Sequence, residues 1–165
     1  MKEILLLRHA KSSWEDLNIE DFDRPLKKRG INDTIIMAEY IKQSDLIPEY
    51  IICSDARRTR ETLSILLEKI NSKIETLYTR KIYEADVSDI LEVIYETDNK
   101  FNRIMIVGHN PGMEETVVAL TKKSFPFPKF STCGLAYLKL DIDDWKNIKK
   151  SKANLELFKN PKMFK

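Results

Sequence analysis

This chain of 165 residues holds two histidines, His9 and His109, and each closes a continuous run of apolar residues. Ile4-Leu5-Leu6-Leu7 runs into Arg8-His9, and Ile104-Met105-Ile106-Val107 runs into Gly108-His109-Asn110. A further run, Tyr50-Ile51-Ile52-Cys53, ends in Ser54 and is followed closely by Arg57, Arg58 and Arg60. Runs of this kind read as strands buried on both faces. In parallel α/β sheets, ligands bind outside the carboxyl ends of the strands. One edge of the sheet would therefore gather both histidines and several arginines.

That set suits a phosphoryl group. Arginine stays charged, and its planar fork matches phosphate oxygens. A helix starting after Ser54 would add backbone N–H groups and a favourable dipole. A neutral imidazole can act as a nucleophile and carry a covalent intermediate that water then attacks, with no metal in the scheme. A metal site built from His9, His109, Cys53 and Cys133 is not expected, because no ligand spacing supports it and the arginines would repel a cation. A leaving group also needs a proton. Glu84, in Ile82-Tyr83-Glu84-Ala85, is the candidate carboxylic acid among many acidic residues. One geometric condition attaches to Arg8 and His9. In a regular strand they point to opposite faces, so they converge only where the chain leaves extended geometry.

The remaining sequence supplies the elements that hold these residues. After a polar, acidic loop over 11–24, Pro25 precedes a helical pattern in which Ile31, Ile35, Ala38 and Ile41 share a face, ending before Pro48. Leu63, Leu66, Leu67 and Ile70 mark a second helix, and Val87 to Thr97 a third. Ile74 to Tyr78 is a short strand candidate. Asn110-Pro111 suits a helix start with proline at the first helical position. Leu135 to Leu140 alternates as a strand does, and so does Asn154 to Phe158, with Leu155 and Leu157 on one face. Strand and helix patterns alternate, which predicts an α/β fold: a three-layer α/β/α sandwich around a mostly parallel sheet. With no long Pro/Gly/Ser-rich linker, residues 1–165 are expected to form one domain.

Composition narrows the function classes. Hydrophobic residues make up 42% and charged residues 33%, as in an ordinary globular protein. Lys and Arg number 28 against 26 Asp and Glu, and a net charge of +2 makes no case for nucleic-acid binding. The basic cluster from Lys146 to Lys152 reads as a solvated surface, with a weak polyanion contact as the alternative. No leader pattern or membrane-length apolar run is visible, so no membrane association is expected. Two distant cysteines, Cys53 and Cys133, suggest a reduced cytoplasmic protein. Trp14 and Phe22 could line a cavity mouth or pack the acidic loop onto the domain.

The motifs resemble a known family. Leu5-Leu6-Leu7-Arg8-His9-Ala10 resembles the RHG motif of the histidine phosphatase superfamily, branch 1, the phosphoglycerate mutase-like group. Ser54-Asp55-Ala56-Arg57-Arg58-Thr59-Arg60-Glu61-Thr62 resembles its second motif and Val107-Gly108-His109-Asn110-Pro111-Gly112 its third. Tyr83-Glu84-Ala85 resembles the proton-donor segment. Arg24-Pro25-Leu26 followed by Gly30 resembles the small phosphohistidine phosphatases of the SixA type. The matches keep the family's order from Ile4 to Gly112. Ala10 stands where glycine is usual, so the local turn is expected to differ slightly.

The resemblance implies a phosphoglycerate mutase-like fold with His9 as the phosphorylated nucleophile and no cofactor. Arg8, Arg58 and His109 would hold phosphoryl oxygens, Glu84 would be the general acid, and Arg24 would reach the cavity. Counting from Ser54 selects Arg58 and leaves Arg57 and Arg60 as surface charges. The substrate implied is a phosphohistidine-bearing protein; separately, the chain is expected to be a monomer. A phosphatase or mutase for small phosphate esters is the second reading, and a non-catalytic phosphate-binding module the third. The acidic loop (Glu15, Asp16, Glu20, Asp21, Asp23) would favour a basic partner surface.

Overall fold

The computed structural model describes residues 1–165. Six strands form one sheet in the order β3-β2-β4-β1-β5-β6. The apolar runs become β1 (Lys2–Arg8), β2 (Tyr50–Ser54) and β4 (Arg103–Gly108), with β3 (Glu75–Thr79) at one edge, all mutually parallel. β5 (Leu135–Leu140) runs antiparallel to β1, and β6 (Ala153–Lys159) runs antiparallel to β5 at the other edge. Five of the six strands therefore share one direction.

Side chains of β1 alternate between two cores, as the pleat demands. Ile4 and Leu6 pack with Ile90 and Ile94 of α3 (Val87–Tyr95) and with Met113 and Val117 of α4 (Gly112–Thr121). Leu5 and Leu7 pack on the opposite face with Met37 and Ile41 of α1 (Lys28–Gln43) and with Leu63 and Leu66 of α2 (Arg57–Ile70). All of these side chains are buried, each worth about 1.5–3 kcal/mol of transfer free energy. The result is the three-layer α/β/α sandwich, with its central strands covered on both faces. No helix is long and apolar enough to cross a membrane.

Local readings differ at three places. Ala38 and Ile41 are buried as their spacing predicts, but Ile31 and Ile35 are exposed, and the buried face of α1 is completed by Gly30, Asp33, Thr34 and Met37. The helix is rotated this way because Gly30 meets the Lys11 backbone, where any Cβ would collide with the Lys11 carbonyl oxygen. Leu155 and Leu157 do not share a face. Tyr137 pairs with Leu157 and Leu138 with Leu155, so Glu156 is an extra residue in a β-bulge that sends the two leucines to opposite cores. Pro111 caps α4 from outside rather than forming its first turn.

Loops at the carboxyl edge of the sheet are tied down by specific bonds. Ser13 N–H donates to the Pro25 carbonyl (2.8 Å) and Lys27 N–H to the Lys11 carbonyl (3.0 Å), so the segment between β1 and α1 folds back on itself. Leu26 N–H donates to Glu61 Oε1 (2.8 Å), fastening that segment to α2. Near its tip, a short 3-10 helix, Asp21–Asp23, turns the chain inward. On the other side, Asp86 and Asp89 form a reciprocal capping box that fixes the start of α3 just after Tyr83-Glu84-Ala85.

Candidate active site

A cavity of about 260 Å³ opens beyond the ends of β1 and β4 and is lined by Arg8, His9, Arg24, Arg58 and His109. Five of the six residues expected from the sequence thus converge. A larger concavity of about 470 Å³ among residues 141–152 holds no histidine or arginine.

β1 ends at Arg8, and His9 still donates its backbone N–H to the Gly108 carbonyl (3.0 Å). The cavity lies past the end of the strand, where side chains from both faces can reach it. Arg8 Nη1 donates to the Phe130 carbonyl (2.8 Å). His9 Nδ1 donates to the Ala10 carbonyl (2.7 Å), and Arg58 Nε donates to His9 Nε2 (3.3 Å). Both contacts fit one tautomer: the proton sits on Nδ1, and the Nε2 lone pair faces the cavity's cation. Burial pushes the His9 pKa well below its ordinary value. The bond to Ala10 opposes this only in part, while His109, Arg58 and Arg8 push the same way. His9 is therefore neutral at pH 7.

Alanine at position 10 causes no strain. Its φ is not positive, its side chain is buried, and its N–H donates to Thr62 Oγ1 (3.0 Å). The turn that a glycine would have eased is absent.

The second motif resolves as counted. Arg57 pairs with Glu61 on the surface (3.0 Å), Arg60 is exposed, and Arg80 takes Asp55 (3.0 Å). Only Arg58 turns inward. The α2 N-terminus itself does not line the cavity, so the helix contributes a side chain rather than backbone N–H groups. Ser54 makes a separate contribution, its Oγ lying 2.8 Å from His109 Nε2. That Oγ already accepts the Ala56 N–H (3.3 Å), which leaves the hydroxyl proton free to donate to Nε2. In this arrangement His109 carries its proton on Nδ1, a buried nitrogen with no protein partner. Burial first, and Arg58 next, pull the His109 pKa down to about 4.

Arg24 is buried in the cavity wall, its guanidinium stacked 3.3 Å from the centre of the Trp14 ring. It bonds Ser13 O (3.2 Å), Ser12 Oγ and Asp21 Oδ1 (3.0 Å). The two aromatic residues of the loop part company. Trp14 lines the cavity and stays 63% exposed, while Phe22 packs edge-on against Tyr83 (5.2 Å) and under Arg80 (4.0 Å).

Glu84 is the expected residue that the fold does not bring in. It is exposed, has no hydrogen bond, and does not line the cavity. The reason is local. Its backbone is left-handed (φ 51°), Tyr83 before it turns edge-on to His109 (5.4 Å), and Ala85 after it packs against the core that holds Ile82 and Ile90. With both neighbours facing inward, the Glu84 side chain faces solvent.

The carboxylate in the cavity is Asp21. Arg58 Nη2 donates to its Oδ2 (3.1 Å), Arg58 Nη1 to its backbone carbonyl (2.7 Å), and Tyr83 Oη to Oδ2 (2.6 Å). In the sequence Asp21 stands only as one of five acids in its loop. Its position three residues before Arg24 was the available signal. The other four loop acids are exposed, so at most they, and not Asp21, could serve a partner surface. Arg8, Lys11, Arg24 and Arg58 against Asp21 leave the cavity strongly cationic.

Residues 4–102 match a model of the histidine phosphatase superfamily (branch 1). An uncharacterised chloroplastic protein of Arabidopsis thaliana is 34% identical over 154 residues, covering 87% of this chain and 69% of its own. Among solved structures, a candidate phosphohistidine phosphatase SixA from Agrobacterium tumefaciens superposes with a TM-score of 0.83 at 30% identity, over 97% of this chain and 98% of its own. The protein histidine phosphatase SixA complexed with tungstate superposes with a TM-score of 0.85 over 99% of both chains. At 19% identity, that second likeness is one of fold.

Proposed function

This chain belongs to the histidine phosphatase superfamily, branch 1, and on that premise we propose that it removes phosphoryl groups from phosphohistidine on proteins, carrying each one briefly on His9. The observation that carries the reading is the setting of His9. Its Nδ1 proton is committed to the Ala10 carbonyl, and its neutral Nε2 faces Arg58. A nucleophile needs that lone pair free of a proton.

In the first step His9 Nε2 attacks phosphorus and the bond to the leaving nitrogen breaks, its electron pair staying on that nitrogen. In the second, water attacks phosphorus, loses a proton, and the electron pair of the P–N bond returns to His9. Charge on the phosphoryl oxygens is met by Arg8, Arg24 and Arg58, with the neutral imidazole of His109 in the cavity wall beside His9. Such fixed donors commonly supply the largest share of phosphoryl-transfer catalysis. A dianion entering a cationic cavity also exchanges the water around it for preorganised partners.

Two features favour a histidine leaving group. The likeness to the Agrobacterium tumefaciens structure extends over nearly the whole chain. Trp14, half stacked on Arg24, offers a flat exposed surface at the cavity wall for an aromatic ring. Both cysteines are buried and unpaired, which suits a cytoplasmic setting.

The test is release of phosphate from a phosphohistidine-bearing protein, compared with small phosphate esters. The reading expects His9-dependent release, abolished in His9→Ala with the melting temperature unchanged. Retention of the phosphohistidine at micromolar enzyme contradicts it.

A further inference from the structure

We propose that Asp21, rather than Glu84, is the proton donor to the leaving group. This inference rests on the phosphatase reading above and assigns the one role that reading leaves open.

Asp21 is the carboxylate that lines the cavity. Arg58 lies between it and the nucleophile: Nε meets His9 Nε2 (3.3 Å), and Nη2 meets Asp21 Oδ2 (3.1 Å). A phosphoryl group held by Arg58 therefore has His9 on one side and Asp21 close by on the other. Glu84 has no such contact with any residue of the cavity wall.

Four groups face the Asp21 carboxylate from the elements around it. Arg24 and the Tyr83 hydroxyl touch it, as does Arg58, and His109 stands near, neutral. Burial raises its pKa, but the Tyr83 hydroxyl and the two arginines outweigh that and hold it below the usual carboxylate range. Substrate reverses the balance. A phosphoryl dianion draws Arg24 and Arg58 to its own oxygens and places negative charge beside the carboxylate, which favours the protonated acid. Asp21 then takes a proton from solvent at the cavity mouth.

The cycle balances. As His9 Nε2 bonds to phosphorus, the P–N bond of the substrate breaks toward the leaving imidazole nitrogen, which takes the Asp21 proton and departs neutral. The Asp21 carboxylate left behind accepts a proton from the attacking water in the second step. Phosphate leaves, His9 Nε2 regains its lone pair, and Asp21 is again the acid. An imidazole cannot leave readily without that proton, whereas nitrophenolate can.

The experiment compares kcat/KM of wild type, Asp21→Asn and Glu84→Gln on a phosphohistidine-bearing protein and on p-nitrophenyl phosphate, with His9→Ala as the control. The proposal expects Asp21→Asn to lose at least about 100-fold more kcat/KM on phosphohistidine than on the aryl ester, as loss of a general acid does. Glu84→Gln should match wild type on both. An Asp21→Asn enzyme that loses equally on both substrates would make Asp21 a positioning residue for Arg24 and Arg58 and overturn the proposal. Full activity of Asp21→Asn, or a selective loss in Glu84→Gln, also overturns it. If wild type turns over neither substrate, or His9→Ala remains active, the failure belongs to the phosphatase reading itself. Melting temperatures of the variants separate these effects from misfolding.

Discussion

Arg58 links the two halves of the cavity, bonding His9 through one edge of its guanidinium and Asp21 through the other. A lysine could supply the charge but not the fork. Arg58→Lys should therefore lower kcat/KM on an aryl phosphate by about 100-fold or more, the size seen when a fixed oxyanion donor is lost. Recovery of more than half the wild-type rate would show that charge alone suffices. The residues most legible in the sequence were those of rare type: with two histidines in the chain, each at a strand end, their convergence followed from topology. Carboxylates were not legible in that way. There are 26 acidic residues, and beyond its three-residue spacing to Arg24 only the inward turn of the 3-10 helix distinguishes Asp21 from its loop neighbours.

At the scale of elements, the segment between β1 and α1 decides what the cavity contains. It carries Trp14, Asp21 and Arg24, and its root at Lys11 rests directly on Gly30 of α1. Gly30→Ala should force that contact apart, lowering stability by about 1–3 kcal/mol as overpacking does. It should also lower kcat/KM, because the displaced segment takes Arg24 with it. A thermal melt and an activity assay on the same preparation check both; an unchanged melting temperature would mean that the segment yields without cost. The parallel strands were readable because burial on both faces writes a continuous apolar run. The face of α1 and the split of Leu155 from Leu157 were not. Both depend on a close approach or a bulge between segments distant in sequence, which periodicity within one element does not encode.

For the whole molecule, two neutral buried histidines make stability depend on pH. The His109 pKa is about 4 in the folded chain, against about 6.5 when exposed. The unfolded chain therefore binds more protons between these values, and stability falls as pH drops through that window. The difference is worth about 3 kcal/mol for His109. His9 adds in the same direction, and Asp21, held low, adds its loss only at more acidic pH. Urea midpoints measured from pH 7 to pH 4 should fall accordingly, and fall less in His109→Gln. Parallel curves for the two proteins would place the acid sensitivity elsewhere.

Every step of this account passes through phosphorylated His9. Rapid-quench trapping with a labelled phosphoryl donor measures that species directly. The account predicts a phosphoenzyme that forms within one turnover, is labile to acid and stable to base, and is absent from His9→Ala. Turnover by wild type with no such species, or the same label retained by His9→Ala, would contradict it.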